Sequence, residues 1–344
     1  IKKTEKKRYA PPPFITSTMQ QEAFNKLRFN ASKTMLVAQQ LYEGIDIGEG
    51  NPVGLITYMR TDSPNVASEA IQEVRQHIGR SFGKDFLPEK PNVYKAKKSA
   101  QEAHEAIRPS YVSRPPESLK DFLNHDQIRL YELIYNRFLA SQMKPAEFLA
   151  TSVDITADKY LFVANGSHLL FEGFLAAYGF GYRKPNHYLA AYNNGDTEEK
   201  KEEQEEEEKE KTKNPIPPLE QGEILGLEKL TPSQHFTKPP PRYSDSSLIK
   251  ALEEEGIGRP STYAPIIYTI IMRDYVRRIK GYLHATELGF KVNDMLVEYF
   301  PKILDFKFTA LMEEKLDQIE EGILNRQKVL EEFYAPFKES LDFA

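Results

Sequence analysis

The spacing of hydrophobic residues predicts helices near the start of the chain. From Thr16 to Gly44 and from Asp126 to Met143, apolar residues recur every three or four positions, which is typical of amphipathic helices. Another helix is expected from Ser63-Pro64, because Ser favours the N-cap and Pro the first helical position. Residues 55–59 alternate like a short strand. Residues 14–146 are therefore predicted to be a mainly helical domain.

The pattern changes to the alternation of strands after residue 146. Residues 150–155, 160–164 and 168–171 are predicted strands, separated by Asp-Lys and Asn-Gly turns. Residues 224–230 resume strand character. The sequence therefore predicts a β-rich segment over residues 147–230.

The last part of the chain is predicted to be helical again. Ser244 caps a helix that Gly256 ends, a second helix spans 263–273, and residues 276–285 form a hairpin around Lys280-Gly281. Two helices, a tight turn and a hairpin are typical of a winged helix-turn-helix. Further helices are expected over 287–299, 309–321 and 325–338. Residues 231–344 are thus predicted to be a helical, winged-helix-like region, and the fold class is α+β multidomain, mainly α with a smaller β-rich segment.

Composition excludes several classes of protein. The chain has 344 residues and no Cys, so disulfides, thiolate zinc sites and a Cys nucleophile are excluded. No apolar stretch is long enough to cross a membrane. The chain begins with Ile1 rather than Met, which favours a fragment. Residues 1–13 are interpreted as a basic tail and linker.

The net charge of −5 hides an uneven distribution. Residues 196–213 hold ten acids and five lysines, and the rest of the chain is balanced. We interpret this run as a solvated insertion, because it has no apolar stripe to pack. Residues 1–146 carry a net charge of +6, and the remaining residues outside the run carry −6. An anion-binding site is therefore expected in the first section.

The sharpest local feature is the segment around Tyr58 and Arg60. In an extended chain these two side chains point to the same side. Tyr is a known covalent nucleophile, and the planar guanidinium of Arg holds phosphate oxygens. The helix expected at Ser63-Pro64 adds its positive end. The alternative is a Tyr packed at a strand end with Arg60 paired to Asp62.

Two other groups of residues are candidates for phosphate contacts. His104 and Arg108 are expected on one helical face, as a cationic contact or a proton relay, or alternatively as a surface ion-pair cluster. The pattern HExxR does not match the HExxH zinc motif, so no metal is assigned. In the turn before residue 263, Arg259, Ser261 and Thr262 are either a backbone-phosphate grip or an ordinary capped corner.

Together these motifs resemble the type IA DNA topoisomerases, in the bacterial topoisomerase I branch. The resemblance covers nearly the whole chain except the acidic run and its flanks, and Met59 between Tyr58 and Arg60 favours this branch over topoisomerase III. The matching stretches occur in the family order at residues 12–21, 56–63, 103–109, 137–143, 234–239, 256–264 and 305–314.

The resemblance implies an ATP-independent reaction in which Tyr58 attacks one DNA strand and forms a 5′-phosphotyrosyl bond. Arg60 would hold the scissile phosphate, His104 would contact the same region, and Arg259, Ser261 and Thr262 would contact the DNA backbone. A second strand would pass through the break before religation, which relaxes negative supercoils. The implied partner is single-stranded or underwound DNA in the bacterial cytoplasm, at the nucleoid, and the implied architecture is part of a toroid in which a β arch joins helical domains.

One departure from the family concerns the Toprim domain, which holds Mg²⁺ and a Glu that acts as a general acid. The sequence has no DxDxE-type cluster on a strand end, so both are expected on a domain that precedes this chain. We expect the isolated chain to be deficient in cleavage. A non-catalytic single-stranded DNA-binding or gate module is the alternative from another class. A tyrosine recombinase or a relaxase-type nicking enzyme is a further alternative. Recombinases need a dispersed Arg-His-Arg set around the Tyr and form a 3′ link, and relaxases need a cluster of His for a metal, which the seven scattered His of this sequence do not form.

Overall fold

A computed structural model describes residues 1–94, 104–179 and 216–344. In these residues the chain divides into two compact units. The first, which we call the sheet unit, comprises residues 1–11, 71–92 and 139–239. The second, the helical unit, comprises residues 12–70, 93–138 and 240–344. No helix in the described ranges is long and apolar enough to cross a membrane.

The sheet unit is built on a three-stranded antiparallel sheet in the order β1 (Lys2–Arg8), β2 (Ala146–Ala157), β3 (Tyr160–Phe171). Strand β1 pairs with β2 from Lys2 opposite Ser152 to Arg8 opposite Ala146. The predicted Asp-Lys turn joins β2 to β3, with Asp158 at a φ of +54°. The sheet thus combines a local hairpin with a strand that is distant in sequence.

Three predictions for the residues of the sheet unit are wrong. Residues 1–13 are not simply a tail, because residues 2–8 pair their backbone with β2 while their side chains stay exposed. The expected Asn-Gly turn lies inside β3. There Ile216 occupies the space of a side chain, 2.7 Å from an ideal Cβ on Gly166, so this glycine permits a close approach. Residues 224–230 form no strand, because no described segment pairs with them.

The helices follow the predicted order. Asn30 and Ser244 act as N-caps through their side chains, and Gly44 and Gly256 lie at the predicted ends. The helix bounds are α1 Thr16–Glu22, continued by a π-helical turn over Ala23–Leu27, α2 Ala31–Glu43, α3 Ser68–Ser81, α4 His125–Ser141, α5 Asp245–Glu254, α6 Tyr263–Met272, α7 Glu287–Tyr299, α8 Phe306–Glu320 and α9 Arg326–Phe343.

A two-stranded hairpin follows α6, as predicted. It consists of β4 (Val276–Ile279) and β5 (Tyr282–Ala285). Both turn residues have positive φ, +50° at Lys280 and +84° at Gly281, which is the backbone twist that a two-residue hairpin requires. The chain therefore contains the expected succession of helix, turn, helix and hairpin.

A buried carboxylate links this hairpin to two helices of the helical unit. Asp245, which is 1% exposed, accepts two hydrogen bonds from the Arg278 Nη2 atom, both at 2.9 Å, and one from its Nε. The backbone N–H of Ala31, at the start of α2, also donates to Asp245, at 3.3 Å. One side chain thus holds β4, α5 and α2 together.

We predict that Asp245→Ala lowers the free energy of unfolding by about 2–4 kcal/mol. The value lies toward the lower end for a broken buried pair, because Arg278 keeps some contact with water. Urea unfolding followed by circular dichroism measures it. The control is Asp274→Asn, which removes the charge that pairs with Arg277 on the same hairpin, keeps a residue type that tolerates the φ of +54° there, and should change stability little. Equal losses in the two variants would contradict the role given to Asp245.

Tyr263 lies in the small apolar core between α2, α5 and α6 and is 7% exposed. Its neighbours in that core are Ala31, Ile249, Ala264 and Ile267. Burial raises the pKa of Tyr263 to about 12, and the charges of Glu253 and Asp62 act in the same direction. The phenol therefore stays neutral in the folded chain well above the pH at which an ordinary tyrosine ionises.

We predict that Tyr263 makes stability fall in alkali. The unfolded chain ionises this phenol near pH 10 and the folded chain near pH 12, so its contribution is complete below about pH 10 and is lost as the pH rises toward 12. Two units of pKa correspond to about 2–3 kcal/mol. Urea unfolding of Tyr263→Phe between about pH 9 and about pH 11.5 should show a shallower decline than the parent chain. Tyr268→Phe, at an exposed position on the same helix, should follow the parent.

Candidate active site

The segment from Thr57 to Thr61 alternates between inward and outward side chains. Met59 and Thr61 are buried, whereas Tyr58 is 38% exposed and Arg60 is exposed. Tyr58 and Arg60 therefore face outward together, as the sequence predicted. Within the described residues, neither the Tyr58 hydroxyl nor the Arg60 guanidinium has a hydrogen-bond or ion-pair partner, so the predicted alternative of Arg60 paired with Asp62 is not observed.

Two rings flank the side chain of Tyr58. The Tyr42 ring meets it edge-on, with centroids 5.4 Å apart, and the His104 ring lies 5.8 Å away at an angle of 46°. Aromatic contacts of this kind restrict the orientation of the phenol without using its hydroxyl. The structure thus brings His104 to Tyr58, although 45 residues of sequence separate them.

Two threonines hold the backbone on either side of Tyr58. The Thr57 hydroxyl donates to the carbonyl of Ala106 at 2.7 Å and accepts from the N–H of Arg108 at 3.0 Å. On the other side, the Thr16 hydroxyl donates to the carbonyl of Met59 at 2.7 Å and accepts from the N–H of Thr61 at 2.9 Å. Neither threonine is among the site residues predicted from the sequence. Two sequence features could have identified them. Thr57 lies at an inward position of the alternation, and Thr16 places a hydroxyl at the first position of a predicted helix.

The local secondary structure differs from the prediction. Residues 55–59 form only an isolated bridge, between Ile56 and Pro109, and not a strand. Helix α3 begins at Ser68 rather than at Ser63-Pro64. The Ser63 hydroxyl accepts from the N–H of Asn65 at 3.3 Å, and the Asn65 carbonyl accepts from Ala106. These bonds compete with helix formation, so the helix whose N-terminus was expected beside Tyr58 starts farther along the chain.

The prediction that His104 and Arg108 share a helical face is wrong. Residues 104–110 form no helix, because Pro109 disfavours a helical conformation at the residue before it and Ile107 forms a bridge with Phe14. Arg108 forms an ion pair with Glu105 at 2.6 Å and donates to the carbonyl of Pro109. Its guanidinium thus has internal partners. The first residues of this motif, 101–103, lie outside the described ranges.

The predicted phosphate grip at residues 259–262 is engaged within the protein. Arg259 forms a fork with both carboxylate oxygens of Asp317 on α8, at 3.2 and 2.6 Å. Burial lowers its pKa, but the hydrogen bond and charge of Asp317 outweigh that effect and the pKa is raised. The Thr262 hydroxyl accepts from the N–H of Arg259 at 2.8 Å, whereas Ser261 is exposed. The capped-corner alternative therefore describes Arg259 and Thr262 in this structure.

Arg137 is a further buried cation, and it is not among the site residues predicted from the sequence. It donates from Nε to the carbonyl of Pro12 at 2.6 Å, and its guanidinium lies 4.6 Å from the centre of the Phe14 ring. It therefore holds the segment that leads into α1 and Thr16. The sequence gives no sign of this contact, because Arg137 on α4 is more than 120 residues from Pro12 and Phe14.

The described residues contain no group of three or more His, Asp or Glu arranged to hold a metal ion. They therefore do not fit the Mg²⁺ that the family resemblance implies. The acidic run at residues 196–213 lies outside the described ranges.

Comparisons with known proteins agree with the family resemblance. The DNA topoisomerase family matches residues 1–331 of this chain. DNA topoisomerase 1 of Xylella fastidiosa (strain 9a5c) is 44% identical over 340 residues, covering 98% of this chain and 39% of the relative. DNA topoisomerase 1 of Helicobacter pylori (strain ATCC 700392 / 26695) is 45% identical over 343 residues, covering 99% of this chain and 42% of the relative.

A solved structure gives the same result. Full-length topoisomerase I from Thermotoga maritima superimposes with a TM-score of 0.78 and 37% sequence identity, over 98% of this chain and 51% of that chain. This chain spans about two fifths of the length of the curated relatives it matches. Because the family match covers nearly the whole chain, the chain belongs to the bacterial type IA DNA topoisomerases.

Proposed function

We propose that this chain supplies the strand-cleaving region of an ATP-independent DNA topoisomerase, with Tyr58 as the nucleophile. The observation that carries the proposal is the pair of outward-facing side chains, Tyr58 and Arg60, on a backbone held from both sides. Tyr58 offers a hydroxyl that has no partner among the described residues, and Arg60 offers a planar cation for phosphate oxygens. His104 lies against the ring of Tyr58, with the two ring centroids 5.8 Å apart.

The proposed step is a transfer between two oxygens on one phosphorus. The Tyr58 oxygen attacks the phosphodiester and loses its proton, while the bond from phosphorus to the 3′ oxygen breaks and that oxygen gains a proton. The 5′ phosphate remains on Tyr58. Arg60 holds the negative charge that builds on the phosphate oxygens. The reverse step, attack by the 3′ hydroxyl, reseals the strand, so no ATP is consumed.

The remaining parts of the reaction need the longer protein. Single-stranded or underwound DNA is the proposed partner, and passage of a second strand through the break would relax negative supercoils in the bacterial cytoplasm, at the nucleoid. A Toprim domain, with its Mg²⁺ and general-acid Glu, is proposed to complete the site. The succession of α5, α6 and the β4–β5 hairpin is proposed to act as a winged-helix contact with the DNA backbone.

A non-catalytic single-stranded DNA-binding module is the second candidate. It is favoured by one observation: the described residues have no metal cluster, while the exposed Arg60 still offers a cationic contact for phosphate. The two candidates differ in whether a covalent bond to DNA forms.

We predict that this chain alone forms little covalent adduct with a single-stranded oligonucleotide, and that an added Toprim domain from a bacterial type IA topoisomerase restores it. The adduct is counted as labelled DNA that migrates with the protein in denaturing gels. Tyr58→Phe should remove it, and Arg60→Ala should slow it about 10²- to 10³-fold, the usual cost of losing one group that stabilises developing charge.

Tyr160→Phe is the matched control, because it removes an exposed phenol at the first residue of β3 and should leave the adduct unchanged. The label should stay with the protein when it is on the 5′-phosphate side of the break. An adduct that survives Tyr58→Phe contradicts the nucleophile. Efficient cleavage by the isolated chain would contradict the need for a further domain. Binding without any adduct in the presence of the Toprim domain favours the second candidate.

A pair of variants tests whether Arg259 contacts DNA. Arg259→Ala and Asp317→Ala both break the same fork, so we expect both to lower the melting temperature. If Arg259 also contacts a phosphate, only Arg259→Ala lowers the affinity for single-stranded DNA, and it also reduces the dependence of binding on salt. Fluorescence anisotropy at two salt concentrations measures this. Equal affinities for the two variants would assign Arg259 to the fold alone.

A further inference from the structure

We propose that Thr16 is a positioning residue for the cleavage reaction, which fixes Tyr58 and Arg60 relative to each other by holding the peptide groups around Arg60. This inference rests on the proposed function of Tyr58. Thr16 is fully buried, so its side chain cannot meet the DNA itself. Its effect must therefore pass through the backbone it holds.

The Thr16 hydroxyl bonds to the peptide groups on both sides of Arg60. It accepts from the N–H of Thr61 at 2.9 Å, and it lies 2.7 Å from the carbonyl of Met59 and 3.0 Å from that of Thr61. A hydroxyl has one proton and two acceptor lone pairs, so it can donate to one carbonyl while accepting from the amide. A single buried oxygen thus joins the residue before Arg60 to the residue after it.

The backbone of Thr16 adds a third restraint. Its N–H donates to the carbonyl of Thr61 at 2.9 Å. Thr16 is the first residue of α1, and the N–H groups of a first helical turn have no partner within the helix. The start of α1 therefore uses a donor that the helix leaves free. Together with the hydroxyl, this makes a reciprocal pair of bonds between Thr16 and Thr61.

The other side of Tyr58 is held independently. Thr57 is bonded to Ala106 and Arg108 through its hydroxyl, and its N–H donates to the carbonyl of Arg108 at 2.9 Å. The side chain of Met59 is buried between the two outward residues. The bonds of Thr57 do not involve Thr16, so loss of the Thr16 hydroxyl bonds is expected to loosen the backbone on the Arg60 side of Tyr58 only. Small displacements of reacting groups are costly, up to roughly 100-fold in rate for about 1 Å.

Three substitutions separate this role from simple packing. Thr16→Val keeps the shape and removes the hydroxyl, whereas Thr16→Ser keeps the hydroxyl and removes a methyl group. Thr18→Val makes the same chemical change two residues later, where the hydroxyl bonds only to the backbone of Ile15 at 3.1 Å. A packing role predicts that Thr16→Ser is the harmful change. The positioning role predicts that Thr16→Val is harmful and that Thr16→Ser keeps the function of the parent.

The first measurement is hydrogen exchange of the Thr61 amide in the purified chain, followed by NMR. We expect Thr16→Val to speed this exchange by roughly 5- to 10-fold, the factor that corresponds to one ordinary hydrogen bond. Thr16→Ser and Thr18→Val should keep the protection of the parent. A Thr16→Val chain with a fully protected Thr61 amide overturns the proposed hold on the backbone.

The second measurement is the rate of covalent adduct formation in the presence of the Toprim domain, with oligonucleotide affinity measured in parallel. Thr16→Val should lower the rate roughly 10- to 100-fold with little change in affinity, and Thr16→Ser should restore it. If Tyr58→Phe abolishes the adduct while Thr16→Val matches the parent, the positioning role is overturned and the nucleophile stands. If Tyr58→Phe leaves the adduct intact, or no adduct forms with the parent chain, the proposed function fails, and the exchange measurement still decides whether Thr16 holds the backbone.

Discussion

The candidate site depends on the requirement that buried peptide groups find hydrogen-bond partners. Three segments distant in sequence meet around Tyr58 without forming a regular sheet. Backbone bonds join them from Ile107 to Phe14, from Ser110 to Leu55, from Thr57 to Arg108, from Thr16 to Thr61 and from Ala106 to Asn65. Two threonine hydroxyls satisfy peptide groups that these bonds leave over. The irregular backbone is thus held by hydrogen bonds on either side of Tyr58, while the side chains of Tyr58 and Arg60 turn outward.

The outward pair was predictable from the sequence because an extended chain has a period of two, whatever its partners are. The mainly helical character, the hairpin at Lys280-Gly281 and the glycine ends of two helices were predictable because each depends on neighbouring residues. The approach of His104 to Tyr58 depends on long-range bonds to a segment that precedes a proline, and helical spacing pointed the wrong way. The start of α3 failed for a similar reason, since Ser63 uses its hydroxyl in a turn rather than as a helix cap.

The charge distribution along the sequence predicts which section binds an anion, but not which cation is available to bind it. The uneven distribution along the sequence places the outward Arg60 in the basic section, which agrees with a site for an anion. The count cannot tell an available cation from an engaged one. Arg259 and Arg108 are both bonded to carboxylates of the chain, whereas Arg60 has no such partner among the described residues. Arginine selects partners by the geometry of its planar fork, and that geometry exists only in the folded chain.

The pairing of β1 with β2 has a consequence for the order in which the chain folds. The β2–β3 hairpin closes over two residues, whereas residues 9–145 lie between the paired ends Arg8 and Ala146. Closing so long a loop carries a large entropic cost, so local pairing is favoured first and the first strand should join last. During synthesis the lysine-rich β1 must therefore stay unpaired with β2 until the residues of β2 have been made. The high positive charge of β1 protects it while it is unpaired, because copies of this strand on different chains repel one another and so resist pairing.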